Sequence, residues 1–167
     1  MGKKILISTG GSGGHVLPAI CFYEHLQENF ELIITTDKRG EKFIKNSIDN
    51  YKLIDVPQIT KNIIYFPYYF IIFLISIIKS INLFRKNKID ILISTGGYMT
   101  LPNCITAILL NKKIFLFEPN MVLGRSNKLV LKYSKKILCY SNNLINFPKD
   151  YEKKKNYNQT IIKKRYI

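Results

Sequence analysis

The sequence predicts an α/β fold, a parallel sheet with helices on both faces, and three observations carry that expectation. Short strand-like runs alternate with helix-length segments, two of the runs lead into glycine loops, and 167 residues of 47% hydrophobic composition suffice for one domain with a sizeable core. The runs are 4–9, 31–36, 51–56, 89–94, 113–117 and 136–140. Alternation of this kind is the pattern of parallel strands joined by crossover helices.

The first run, Lys4-Ile-Leu-Ile-Ser-Thr9, leads into Gly10-Gly-Ser-Gly-Gly-His-Val-Leu-Pro18, after which Val16, Ala19, Ile20, Tyr23 and Leu26 recur at helical spacing. A strand, a glycine loop and a helix in that order bind phosphate. Glycines let backbone N–H groups approach an anion, and the helix start adds unpaired donors and the positive end of its dipole. The candidate contacts are Gly11, Ser12, Gly13 and Gly14. Two common phosphate loops are excluded: a dinucleotide fingerprint needs glycine where Val16 stands, and a Walker loop needs lysine and Ser or Thr where this loop ends in Gly14-His15. Asp37, after the second run, would read a ribose hydroxyl in a dinucleotide fold, a role that falls with the fingerprint. The same failure disfavours a dehydrogenase domain, and no cofactor is expected.

The 17 residues from Asn62 to Ile78 carry no charge, a length at the bottom of the roughly 17–25 needed to span a bilayer. Aromatics at the start, Lys61 before and Lys79, Arg85 and Lys86 after fit a helix seated peripherally on an anionic membrane surface; the same residues also fit the inward face of a sheet-covering helix. Behind the fourth run, Gly96-Gly97-Tyr98 repeats the glycine device, with a phenol that either meets a ligand or packs in the core. Glu118 and Asn120 follow the fifth run and can hold sugar hydroxyls; Asn127 either joins them or starts a helix. The ligand crevice of an open α/β sheet lies outside the carboxyl ends of its strands, so all three stretches converge on one rim.

The formal charge of +15 would suit nucleic acid, yet lysine, isoleucine and asparagine are abundant together, as in proteins from AT-rich genomes, and no aromatic-interleaved basic motif appears. No nucleic-acid partner is expected. From Lys149 the last 19 residues hold seven Lys or Arg against two acids, which divides the chain into a domain at 1–148 and a basic tail or linker start at 149–167. Cys21, Cys104 and Cys139 are odd in number, widely spaced and set among apolar residues, as reduced core thiols are; no cluster has metal-ligand spacing, so no metal is expected. With no signal peptide at the start, the expected compartment is the cytosol.

The loop Gly10–His15 with Pro18 resembles the Gly-Gly-Thr-Gly-Gly-His…Pro loop of the MurG family of glycosyltransferases, Ser12 keeping the hydroxyl of the threonine. Gly96-Gly-Tyr-Met-Thr-Leu-Pro102 looks like that family's second glycine loop, and Glu118-Pro-Asn120 with Gly124-Arg-Ser-Asn-Lys128 like its third conserved stretch, in the same order. Phe117, Pro119 and Arg125 depart from the pattern. The resemblance implies the Rossmann-like amino-terminal half of a GT-B enzyme at the cytoplasmic face of the bacterial inner membrane, without its carboxy-terminal donor domain or a partner subunit. It implies UDP-N-acetylglucosamine as donor, lipid I as acceptor, His15 at the catalytic position and an arginine contact for which Arg165 is the candidate. From its position alone His15 can serve as base, favoured by the helix dipole in its uncharged form, or as a phosphate donor. A membrane-associated acceptor-binding subunit of a two-subunit enzyme is the alternative reading.

Overall fold

A computed structural model describes residues 2–56 and 63–157. Seven strands form one sheet: β1 (Lys4–Ser8), β2 (Glu31–Thr36), β3 (Tyr51–Leu53), β4 (Ile91–Ser94), β5 (Lys113–Glu118), β6 (Lys136–Cys139) and β7 (Lys155–Tyr157), in the order β3-β2-β1-β4-β5-β6-β7. Every pairing is parallel. The order runs one way from β1 to β3 and the other way from β4 onward, so it reverses between β1 and β4. In a Rossmann-like sheet that reversal opens the ligand crevice.

Alternate side chains along each strand feed two cores. Ile5 and Ile7 of β1 and Ile34 of β2 pack with Val16, Ala19, Ile20 and Phe22 of α1 (Gly13–Leu26) and with Ile44 of α2 (Lys38–Ile44). On the opposite face Leu6, Leu92, Leu116 and Ile137 pack with Phe84 of α3 (Phe66–Lys86), Cys104 and Ala107 of α4 (Leu101–Leu109) and Val130 of α5 (Arg125–Val130). Helices therefore cover both faces. Burial pushes the Cys104 and Cys139 thiols up to about 11, which suits inert core residues, while Cys21 is half-buried.

Two regions differ from the sequence expectation. The segment from Lys149 begins as ordered structure: 149–154 form a 3₁₀ turn, the Lys154 ammonium donates to the Leu131 and Lys132 carbonyls at 2.9 and 2.7 Å, and β7 joins the edge of the sheet beside β6. Its positive composition hid a strand, because edge strands tolerate lysine. Residues 158–167, with Arg165, lie outside the described residues, as do Lys61 and Asn62.

The second is α3, whose buried residues are Ser76, Ser80 and Phe84, one stripe at a spacing of four. Phe66, Phe70, Ile71, Leu74, Ile75 and Ile78 stand 43–59% exposed on the other side. The apolar face is turned outward, contrary to the inward-face alternative. Beside the packing of Phe84, a polar chain holds the helix down: the Ser80 hydroxyl donates to Asn103 Oδ1 at 2.6 Å, and Asn103 Nδ2 donates to Ser8 Oγ at 2.8 Å and Thr35 Oγ1 at 2.9 Å.

Asn103 is 1% exposed, so replacing it leaves several buried hydroxyls without their partner. Asn103→Leu should cost about 2–4 kcal/mol of stability, a fall of roughly 5–15 °C in Tm for a chain of this size. Denaturant unfolding of the 167-residue chain measures it, and a loss below about 1 kcal/mol would show that the network contributes little beyond water.

Candidate active site

The loops after β1 and β4 meet across the reversal in strand order. Thr95 N–H donates to Ser8 O at 3.0 Å, and the Thr95 and Thr9 hydroxyls are 2.8 Å apart. His15, the third residue of α1, places Nδ1 2.7 Å from Thr95 O. A carbonyl oxygen can only accept, so Nδ1 carries a proton, and in the neutral ring Nε2 is then the nitrogen with the lone pair. A side chain at Gly97 would start 3.8 Å from that Nε2, which puts the nitrogen over the second glycine loop.

The first loop is shaped by what lies under it. Gly11 and Gly97 have φ of +78° and +84°, a region that L side chains rarely adopt. A Cβ at either position would also fall 2.7 Å from the Met99 side chain, a buried wedge between the two loops. Ser12 stands at the N-cap of α1 with an exposed hydroxyl that makes no capping hydrogen bond, and Gly14 is exposed beside it. The hydroxyl and the amides of the first turn, at Gly13 and Gly14, are the donors this loop offers an anion.

Gly11 does not offer its amide in the same way. Its N–H donates to Asp37 Oδ1 at 2.7 Å, and the same oxygen accepts from Gly40 N–H at 3.0 Å. Asp37 caps α2 and is 4% exposed. The expected donor of the loop is thus an internal tie, and Asp37 is its acceptor rather than a ribose reader. Its second oxygen accepts from Arg39 Nε at 2.9 Å, and Arg39 Nη2 donates to the Tyr98 hydroxyl of the second loop. Partial burial works against the Arg39 charge, but Asp37 and Tyr98 outweigh it and hold the guanidinium above its ordinary value. The Tyr98 ring meanwhile packs against Ile54, Val56 and Met99, so the phenol both packs and bonds.

The third stretch is organised by Glu118. Oε1 accepts from Asn120 N–H at 3.2 Å and Asn120 Nδ2 at 2.9 Å; Oε2 accepts from Gly124 N–H at 2.8 Å and Asn127 Nδ2 at 2.9 Å. At 1% exposure this carboxylate has both oxygens engaged in holding the loop. Asn127 is not the helix start either: Gly124 occupies the N-cap, and Asn127 is buried, donating also to Phe117 O at 3.0 Å. Asn120 is exposed on the rim and borders a cavity of about 760 Å³ also lined by Gly124, Arg125, Lys128 and Phe147.

Sequence reading missed Arg39, Gly40 and Met99. A Cβ on Gly40 would meet Thr36 Oγ1 at 2.2 Å and lie 3.1 Å from Gly10 Cα and Val16 Cγ2, so this glycine lets α2 pack on a loop where Val16 fills the fingerprint's glycine position. The available signal was Asp37 followed three residues later by Gly40, a capping pattern at a strand end.

The family model for the glycosyltransferase family 28 N-terminal domain matches residues 5–139. The chain is 54% identical over 166 residues to the UDP-N-acetylglucosamine–N-acetylmuramyl-(pentapeptide) pyrophosphoryl-undecaprenol N-acetylglucosamine transferase of Pelagibacter ubique, covering 99% of this chain and 47% of that protein. The transferase of the same name from Rickettsia felis is 30% identical over 148 residues, 87% of this chain and 40% of its own length. The chain thus spans about half the length, or less, of these relatives. Among solved structures, Acinetobacter baumannii MurG superposes with a TM-score of 0.78 at 22% identity, covering 93% of this chain and 45% of that one, and a UDP-N-acetylglucosamine 2-epimerase with 0.66 at 10%, covering 90% and 47%. Those two likenesses concern the fold alone. With its sheet, its two glycine loops and the family match running from β1 to β6, the chain belongs to glycosyltransferase family 28 and corresponds to that family's N-terminal domain.

Proposed function

We propose that this chain is the acceptor-binding half of a transferase that moves N-acetylglucosamine from UDP-N-acetylglucosamine to undecaprenyl-diphosphate-linked muramoyl-pentapeptide, converting lipid I to lipid II. The observation that carries the reading is His15, whose Nδ1 is tied to Thr95 O while Nε2 faces the space over Gly97. A base in that tautomer takes the proton of the acceptor hydroxyl as its oxygen bonds to the anomeric carbon of the donor sugar. The bond from that carbon to the diphosphate breaks, and UDP departs with the electron pair.

In this reading the amides of Gly13 and Gly14 and the Ser12 hydroxyl receive the acceptor's diphosphate, with Gly97 and Tyr98 across from them. Asn120 meets the donor sugar, and Glu118, Asn127 and the Gly11–Asp37 tie keep the loops in shape. The acceptor domain expected at 1–148 extends through β7 to Tyr157, and the residues after it, with Arg165, lead toward a donor-binding domain that carries most of the nucleotide site. That the chain covers 47% of its Pelagibacter relative supports a second half of that kind.

The outward apolar face of α3 supports seating on an anionic membrane at the cytoplasmic face. The helix is long and apolar enough to cross a membrane, yet it buries Ser76, Ser80 and Phe84 against the domain and carries exposed Lys79, Arg85 and Lys86 in its second half, as an interface-seated helix can.

Three outcomes are expected. In the complete two-domain enzyme, His15→Ala lowers turnover by about 10²-fold or more with a smaller effect on donor KM, and unchanged turnover would remove the base assignment. Residues 1–167 alone transfer no sugar in a radiolabelled UDP-N-acetylglucosamine assay; measurable transfer by the purified chain would contradict the division of the site. On vesicles containing anionic lipid, Ile71→Glu with Ile75→Glu abolishes sedimentation of the chain, and high salt releases the wild type. Retention of the wild type through a carbonate wash would instead favour a span.

A further inference from the structure

Glycine loops hold a diphosphate with partial charges, and the first loop here has a full negative charge directly behind it. Asp37 lies 2.7 Å from Gly11 N–H, is 4% exposed and cannot be screened by water from that side. Unopposed, it repels the anion the loop is shaped to take. Arg39 opposes it. The two edges of its guanidinium do different things: Nε meets Asp37 Oδ2 at 2.9 Å, and Nη2 reaches the Tyr98 hydroxyl on the other glycine loop. The group lies 5.4 Å over the Tyr98 ring, and a Cβ on Gly11 would start 3.9 Å from Nη2. Its side chain is 42% exposed, so it is neither a surface cation wandering in solvent nor a charge sealed in the core.

We propose that Arg39 is a specificity residue of this site, the fixed cation that lets the gap between the two glycine loops accept a diphosphate rather than a less charged group. The inference rests on the reading of these loops as the acceptor's diphosphate site. Asp37 fixes the guanidinium plane and Tyr98 fixes its far edge, so a doubly charged ligand entering above Gly11 meets an oriented fork of N–H donors. The geometry also gives Asp37 and Arg39 a joint part. The carboxylate shapes the loop through Gly11 and Gly40, and the arginine offsets the cost of that carboxylate to an anionic ligand.

The test is calorimetric binding of a water-soluble short-chain prenyl diphosphate to the 167-residue chain, with the prenyl monophosphate and the free prenyl alcohol as comparators. Wild type should prefer diphosphate to monophosphate and both to alcohol. Arg39→Ala should weaken the diphosphate at least tenfold, leave the alcohol unchanged and erase most of the preference, the scale expected for losing charge-assisted hydrogen bonds. Arg39→Lys should recover part of the loss, keeping the charge without the fork. Arg39→Gln serves as a second variant should alanine unfold the loop, with thermal unfolding of each protein as the folding check. Equal diphosphate affinity in folded Arg39→Ala or Arg39→Gln and wild type overturns the role of Arg39 and leaves the loop reading standing. Loss of diphosphate and alcohol binding by the same factor overturns it too, since it would mean that Arg39 only shapes the loop. A wild type that binds no prenyl diphosphate sinks the loop reading and this inference together.

Discussion

The parallel pairing of β1 with β4 is the constraint on which the rest of the site depends. Ile5 pairs with Ile91 and Ser8 with Ser94, so the two strands end side by side at the reversal in strand order. Because the register is fixed by buried apolar residues on both faces, a slip by one residue would turn each strand's core set to the wrong side. The register therefore delivers Thr95 to Ser8 O and Thr9, and its carbonyl to His15. The histidine comes from one strand's loop and the group that sets its tautomer from the other's.

Two buried carboxylates repeat a single device at the ends of β2 and β5. Asp37 accepts from two backbone amides and an arginine; Glu118 accepts from two backbone amides and two carboxamides. A buried carboxylate is tolerable when both its oxygens are hydrogen-bonded, as these are, so each fixes the loop around it as a unit. Met99 packs under the glycine loops, and the acids add hydrogen bonds that fix the loop backbone from beneath. What they leave exposed is Ser12, Gly14 and Asn120, with Gly97 and Tyr98 half-buried.

Much of this was legible in the sequence. The alternation of strand and helix segments gave six strands with ends within about three residues of those observed, and the glycine loops stood out because few other residues tolerate their backbone. The carboxylates were visible but their loop-holding was not: Asp37 and Glu118 sit where ligand contacts commonly sit, and only the structure shows both buried under their loops. Arg39 and Met99 gave no signal, since an arginine in a first helical turn and a methionine after glycines are ordinary until the fold brings the two loops together. β7 was hidden by lysines that an edge strand accommodates. For α3 the periodicity was present in the sequence, but a period says that a helix has two faces and not which one meets the protein.

That last ambiguity was resolved by three hydrogen bonds. Ser80 reaches Asn103, and Asn103 reaches Ser8 and Thr35 at the ends of β1 and β2, so the only face of α3 that can satisfy this buried chain is the one carrying the serines. The aromatic and aliphatic face is left outward, where each exposed Å² of apolar surface forgoes about 25 cal/mol of burial. A crossover helix runs antiparallel to the strands it joins, so the end beginning at Phe66 lies toward the rim of the glycine loops and the basic end toward the far side. An apolar surface next to that rim suits an acceptor whose lipid stays in a bilayer while its diphosphate enters between the loops. The polar anchor, with Phe84 beside it, thus leaves the aromatic and aliphatic face of α3 exposed on the side of the domain that carries the glycine loops.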